Sequence, residues 1–128
     1  VQGAERAGLA EETFCGIVHS KSSLYAKEFG RGPAGERNLE YHDWLKRAGV
    51  VASEMEASML YVMAATRNEP VPLLEEAGGE AVQAVAVLAV FGTDESHMDF
   101  DEVAKARAEQ RAIAVAVEGV RVWSEQRR

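Results

Sequence analysis

The chain has 128 residues, 47% of them apolar, with 21 acidic against 14 basic side chains, a formal charge of -7, and 11 glycines with 3 prolines. That is the balance of a folded globular domain, without the length of a two-domain enzyme. The acidic field disfavours nucleic acid, and the lone Cys15 excludes an internal disulfide or a multi-thiolate zinc site.

No run nears the roughly 18 consecutive apolar residues of a membrane span. Residues 1–10 carry Glu5 and Arg6 instead of a basic and then apolar leader. The expectation is one cytoplasmic α/β domain over residues 1–128, with no nucleic-acid and no membrane partner. Val1 in place of Met leads to the further expectation of a piece cut from a longer chain.

In chain order, residues 13–19 (Thr-Phe-Cys-Gly-Ile-Val-His) are β-branched and apolar, which predicts a strand with Cys15 as a small core residue. A loop should follow to about Arg37, because glycine and proline at 30–35 resist regular structure. Asn38 is a candidate cap for a helix from Leu39 to Ala48 with Gly49 as its stop. A short strand is expected at 50–52. The stretch 54–67, apolar almost all round with Met55, Met59, Leu60, Val62 and Met63, predicts a mostly buried helix packed on a sheet.

Pro70, Pro72, Gly78 and Gly79 mark a connection, with one helical turn expected at 73–77. Residues 81–91 form an apolar run that predicts a central strand covered on both faces, with a buried helix as the competing reading. Residues 99–126 predict a long amphipathic helix, since Val103, Ala106, Ile113, Val117 and Val120 recur at helical spacing. The alternation of strand and helix favours an α/β layered fold.

Several constellations bear on chemistry. Residues 30–35 match GxGxxG literally, but about ten residues, many of them polar, separate them from the preceding strand and Pro33 lacks an amide, so a structural loop is expected. Cys15, His19, His42 and His97 lack the close spacing of metal ligands, and no metal is expected. A G-x-S-x-G nucleophile elbow is absent from the sequence.

Two glutamates flank a methionine at Glu54-Met55-Glu56, where a strand passes into an apolar helix. One reading is local: Ser53 caps the helix and the glutamates gain from its free amides and dipole. The other is functional, because the C-terminal edge of a parallel sheet is where ligands bind and a carboxylate there can accept both hydroxyls of a vicinal diol such as ribose.

The segment Gly49-Val50-Val51-Ala52-Ser53-Glu54-Met55-Glu56-Ala57-Ser58-Met59-Leu60-Tyr61 resembles the Glu-Met-Glu signature of the nucleoside phosphorylase family, most closely its uridine phosphorylase branch. Residues 16–25, Gly-Ile-Val-His-Ser-Lys-Ser-Ser-Leu-Tyr, resemble the strand and base-site loop that precede that signature. The resemblance implies a three-layer αβα nucleoside phosphorylase-like fold, of which this chain is the incomplete, C-terminal portion. It implies a pentosyltransferase of nucleoside salvage that converts a nucleoside, uridine first, and inorganic phosphate into free base and ribose 1-phosphate, without another cofactor.

By the same resemblance Glu56 holds the ribose 2′ and 3′ hydroxyls, Met55 packs on the sugar and Glu54 supports the pocket. Leu24, Lys27, Glu28, Arg31 and Asp94 are the candidates for reading the base. Leu24 stands where family members commonly have a phenylalanine. Thr93 and Asp94 stand where pyrimidine enzymes tend to have Asn and Arg, and purine members use an aspartate in that region. No catalytic residue is assigned. The phosphate ligands are expected outside this chain, so the 128 residues alone are not expected to turn over, and the intact protein is expected as a homo-oligomer, a dimer or hexamer. The alternatives are a hydrolytic nucleosidase of the same fold and a non-catalytic nucleoside-binding or assembly module.

Overall fold

The computed structural model describes residues 1–68, 82–90, 92–93 and 101–127. Among them the chain is mixed α/β, with a two-stranded parallel sheet and five α-helices. It divides into two compact units, residues 16–86 and residues 1–15 with 87–128.

The first unit is built on the sheet. Strand β1 (Ile17–Ser20) is joined to the parallel strand β2 (Val50–Glu54) through helix α2 (Leu24–Lys27) and helix α3 (Gly35–Arg47), and helix α4 (Ala57–Asn68) follows β2. Parallel neighbours cannot be linked by a tight hairpin, so the 21–49 segment supplies the crossover. Ser23 caps α2, its Oγ accepting from the Ala26 amide at 3.3 Å.

Helix α3 begins four residues earlier than Asn38 predicts. Glu36 sits in its first turn and Lys46 and Arg47 in its last, matching the helix dipole. Asn38 lies inside the helix, where its Oδ1 accepts from Lys27 Nζ at 3.1 Å. Gly49, at φ 82°, takes the left-handed conformation that ends the helix, as the sequence predicts. Tyr41 makes a T-shaped contact with His19 of β1 at 5.8 Å between ring centroids, and Leu45 is buried.

The sheet register has one irregularity. Ile17 pairs with Val50, but Val18 pairs with Ala52, so Val51 is an extra residue on β2. From that point the partners are His19 with Ser53 and Ser20 with Glu54.

The second unit is a helix pair. Helix α1 (Gln2–Arg6) and a single 3-10 turn (Ala10–Glu12) precede helix α5 (Glu102–Gln126), which spans 25 residues and starts at an Asp101 cap whose Oδ1 accepts from the Val103 amide at 2.9 Å. Helix α1 lies close on α5 at Gly3, where an added Cβ would sit 2.7 Å from the Gly119 nitrogen and 2.9 Å from the Val115 carbonyl oxygen. Arg6 binds the Glu125 carboxylate with both terminal guanidinium nitrogens, at 3.0 and 2.6 Å, and Gln126 donates to Gln2 at 2.9 Å.

Three further expectations change. Cys15 is exposed and precedes β1, because the strand begins only where its backbone meets β2 at Ile17. Residues 82–90 are neither strand nor helix, since among the described residues the ladder is confined to β1 and β2; instead the Asn68 side chain serves as partner to Val82, donating to its carbonyl at 2.6 Å and accepting from its amide at 2.7 Å. Helix α4 is not mostly buried: Ala57 and Ala64 are, whereas Met59, Leu60, Val62 and Met63 are exposed, because the described two-stranded sheet offers little surface to cover an all-apolar helix. Helix α1 and the 3-10 turn carry no strong sequence signal, being too short for periodicity. The proline- and glycine-marked connection and the turn expected at 73–77 lie outside the described residues, as do Ala81 and Phe91.

The close approach of α1 and α5 has a measurable asymmetry. Gly3→Ala should undock α1 and lower stability by about 1–3 kcal/mol, whereas Gly119→Ala, whose Cβ meets nothing within 4 Å, should be neutral or gain up to about 1 kcal/mol from helix propensity. Thermal melts of the two variants read the difference.

Candidate functional site

The C-terminal ends of β1 and β2 collect the polar groups that the sequence singled out. Residues alternate between faces along a strand, so Ser20 and Glu54 share one face and Ser53 belongs to the other. Each face carries its own network.

On the first face Glu54 closes the start of α4. Its Oε2 accepts from the amides of Glu56 at 2.6 Å and Ala57 at 2.5 Å, and its Oε1 accepts from the Ser20 hydroxyl. Ser20 Oγ in turn accepts from the Ser58 amide at 3.1 Å. Three amides at the head of α4, which the helix itself cannot satisfy, are thus taken by two side chains. The cap is Glu54, not the expected Ser53, because the helix starts at Ala57 and Ser53 is still inside β2.

These bonds hold the Glu54 carboxyl below the usual glutamate range. The Ser20 hydroxyl contributes most and the Ala57 amide next; partial burial opposes them, and the Glu56 amide and the Lys21 charge add to the lowering.

Glu56 itself is exposed in the bend between β2 and α4, and its Oε2 accepts from the neighbouring Met55 amide at 3.1 Å. Met55 is exposed beside it. The Glu-Met-Glu segment therefore has one carboxylate committed to structure and one presented outward.

On the second face Lys21 reaches Ser53 Oγ at 2.6 Å and forms an ion pair with Glu28, which also accepts from Ser53. The Lys21 side chain is only 6% exposed and that of Glu28 18%. Burial pushes the Glu28 carboxyl up, but bonds from Lys21 and Ser53, with the Lys21 charge, outweigh it and leave the group below its ordinary value.

The base-reading candidates are distributed accordingly. Leu24 opens α2 and is half-buried, Lys27 reaches α3 at Asn38, and Glu28 belongs to the Lys21–Ser53 network. Arg31 lies over the Tyr25 ring at 5.6 Å. Asp94 lies outside the described residues, as does His97. The structure brings Glu28 to the strand ends and places Lys27 and Arg31 against intramolecular partners.

Sequence reading missed Ser20 and Lys21. The signal available was a serine and a lysine directly after an apolar strand, at the edge where α/β sheets bind ligands. Within the GxGxxG match the pair Gly30 and Gly35 has a steric explanation: a Cβ at Gly35 would lie 2.0 Å from the Gly30 carbonyl oxygen. An open hollow of about 570 Å³ lined by Gly30, Gly32, Pro33 and Arg37 lies over that loop. Among the described residues no group of three His, Cys, Asp or Glu is placed to hold a metal, and no helix is long and apolar enough to cross a membrane. Comparison with protein-family models, with curated proteins and with solved structures found no match to the chain.

Two outcomes follow from the networks. Because the Glu54 carboxyl is lowered on folding, its contribution is complete above the unfolded carboxyl pKa of about 4.3 and is lost as pH falls through the folded value. In an NMR titration the Glu56 and Ala57 amides should therefore shift together at a pH below the ordinary glutamate range, and Glu54→Gln should abolish that step. On the other face, Lys21→Met strands Glu28 and should cost about 1–3 kcal/mol, with Lys21→Met/Glu28→Leu recovering much of the loss in denaturant melts.

Proposed function

We propose that this chain carries the ribose-binding end of a nucleoside phosphorylase of the uridine phosphorylase type, acting in nucleoside salvage. The observation that carries the reading is the position of Glu56. Its carboxylate is exposed at the C-terminal end of a parallel strand, in the turn into a helix whose amides are already satisfied by Glu54 and Ser20. The three-layer αβα fold and assembly as a dimer or hexamer belong to the same proposal, as does the resemblance of residues 16–25 and 49–61 to the family's signature segments.

In this mechanism Glu56 accepts from the 2′ and 3′ hydroxyls of the sugar and Met55 supplies apolar contact to the ring. Phosphate attacks the anomeric carbon as the bond to the base breaks, and the bonding pair leaves with the base. The sugar gains positive charge on the way, so a carboxylate fixed near it favours the transition state, and positioning does the rest without a covalent nucleophile. Phosphate is not assigned to the head of α4, whose amides are filled by the chain's own groups. That occupancy equally suits a hydrolytic nucleosidase, in which water replaces phosphate.

The test is chromatographic detection of free base from uridine, thymidine, inosine and adenosine, with and without phosphate, using the full parent reading frame that contains this chain. Phosphate-dependent release is expected, uridine foremost. Glu56→Gln should lower kcat/KM by about tenfold or more, since a hydrogen bond to a charged group contributes about 1.5–3 kcal/mol, while the melting temperature stays near wild type. Release that needs no phosphate would select the nucleosidase, and no release from any substrate would overturn both enzyme readings.

A further inference from the structure

Ser20 has one proton and two lone pairs, and the structure uses the proton and one of the lone pairs. The hydroxyl donates to Glu54 Oε1 while accepting from the Ser58 amide, so the direction of the proton is determined. Glu54 Oε2 then holds the backbone amide of Glu56 at 2.6 Å. The relay runs from the end of β1, through the last residue of β2, to the backbone of Glu56, whose side chain is exposed.

This relay depends on the register. In an unbroken parallel ladder starting from Ile17 and Val50, Ser20 would stand opposite Ser53. The extra residue at Val51 advances β2 by one position, so that Ser20 stands opposite Glu54. The bulge exchanges a pairing of two serines for a pairing of hydroxyl and carboxylate.

We propose that Ser20 is a positioning residue for ribose recognition. Through Glu54 it fixes the Glu56 backbone so that the Glu56 carboxylate meets a cis-diol with both oxygens aligned, and it thereby sets the preference for ribonucleosides over 2′-deoxyribonucleosides. This rests on the reading of Glu56 as the diol acceptor and adds to it a residue that never touches the sugar. Without the Ser20 hydroxyl, Glu54 keeps its bonds to the helix but loses the donor on its other oxygen, and the carboxylate can turn about its own side chain. A bidentate acceptor is sensitive to such movement because both hydroxyls must be met at once.

The experiment compares uridine with 2′-deoxyuridine by calorimetry on wild type, Ser20→Ala, Ser20→Thr, Glu54→Gln and Glu56→Gln, with circular dichroism melts to verify folding. Wild type should bind uridine about tenfold or more tightly than 2′-deoxyuridine. Ser20→Ala should bring that ratio to within about threefold of unity, and Ser20→Thr, which keeps the hydroxyl, should restore it. Glu54→Gln tests the same relay at its other member, should Ser20→Ala fail to fold, and the same loss is expected. Retention of the wild-type ratio in folded Ser20→Ala or Glu54→Gln overturns the proposal and leaves the Glu56 reading intact. A wild type without preference, indistinguishable from Glu56→Gln, overturns both.

Discussion

The hydrogen bond from Ser20 to Glu54 joins the two strands where their ladder ends, and the candidate site is arranged around it. A carboxylate at the head of a helix satisfies free amides, but it can swing away from them unless its second oxygen is also held. Ser20 holds it. The start of α4, the bend at Met55 and Glu56, and the outward direction of the Glu56 segment all follow from that closure. The single extra residue at Val51 is what makes the pairing geometrically available.

The opposite face is stabilised differently. There a nearly buried ammonium, Lys21, sits between Glu28 and Ser53 and ties the end of α2 to β2. Charges in such surroundings are retained only when partnered, since desolvation of each is costly and the pair recovers that cost through direct bonds. The two faces thus divide the work: one ion pair anchors the crossover segment against the sheet, and one carboxylate organises the helix that follows. The Glu56 carboxylate is left over, accepting from its own neighbour Met55, and it is the group to which the proposed function assigns the diol.

Much of this chain's apolar surface stays uncovered among the described residues. Ala4, Leu45, Ala57 and Ala64 are the buried apolar side chains, three of them alanines, while the larger residues of α4 and several of α5 are exposed. Order near the site therefore comes less from packing of large side chains than from satisfied polar groups and close backbone approaches, as at Gly30 with Gly35. This is why polar substitutions at the strand ends are expected to have more effect on the site than conservative changes along α4.

The long helix was legible in the sequence because its periodicity extends over many turns, and the segments around β1 and β2 because short β-branched runs end in polar residues. Gly49 announced the end of α3 through the one conformation that favours glycine. The central strand expected at 81–91 shows where such reading fails: apolar composition states that a segment avoids water, but a strand exists only with a neighbour, and at Val82 the neighbour is the side chain of Asn68. Residue types at Glu54, Met55 and Glu56 determined by themselves that a carboxylate pair would stand at a strand-to-helix junction. Which amides Glu54 takes, and that Ser20 holds its other oxygen, was decided only in three dimensions. The reason is physical: one extra residue at Val51 changes which side chain of β1 faces Glu54, and a one-residue change of register moves a side chain to the other face of the sheet.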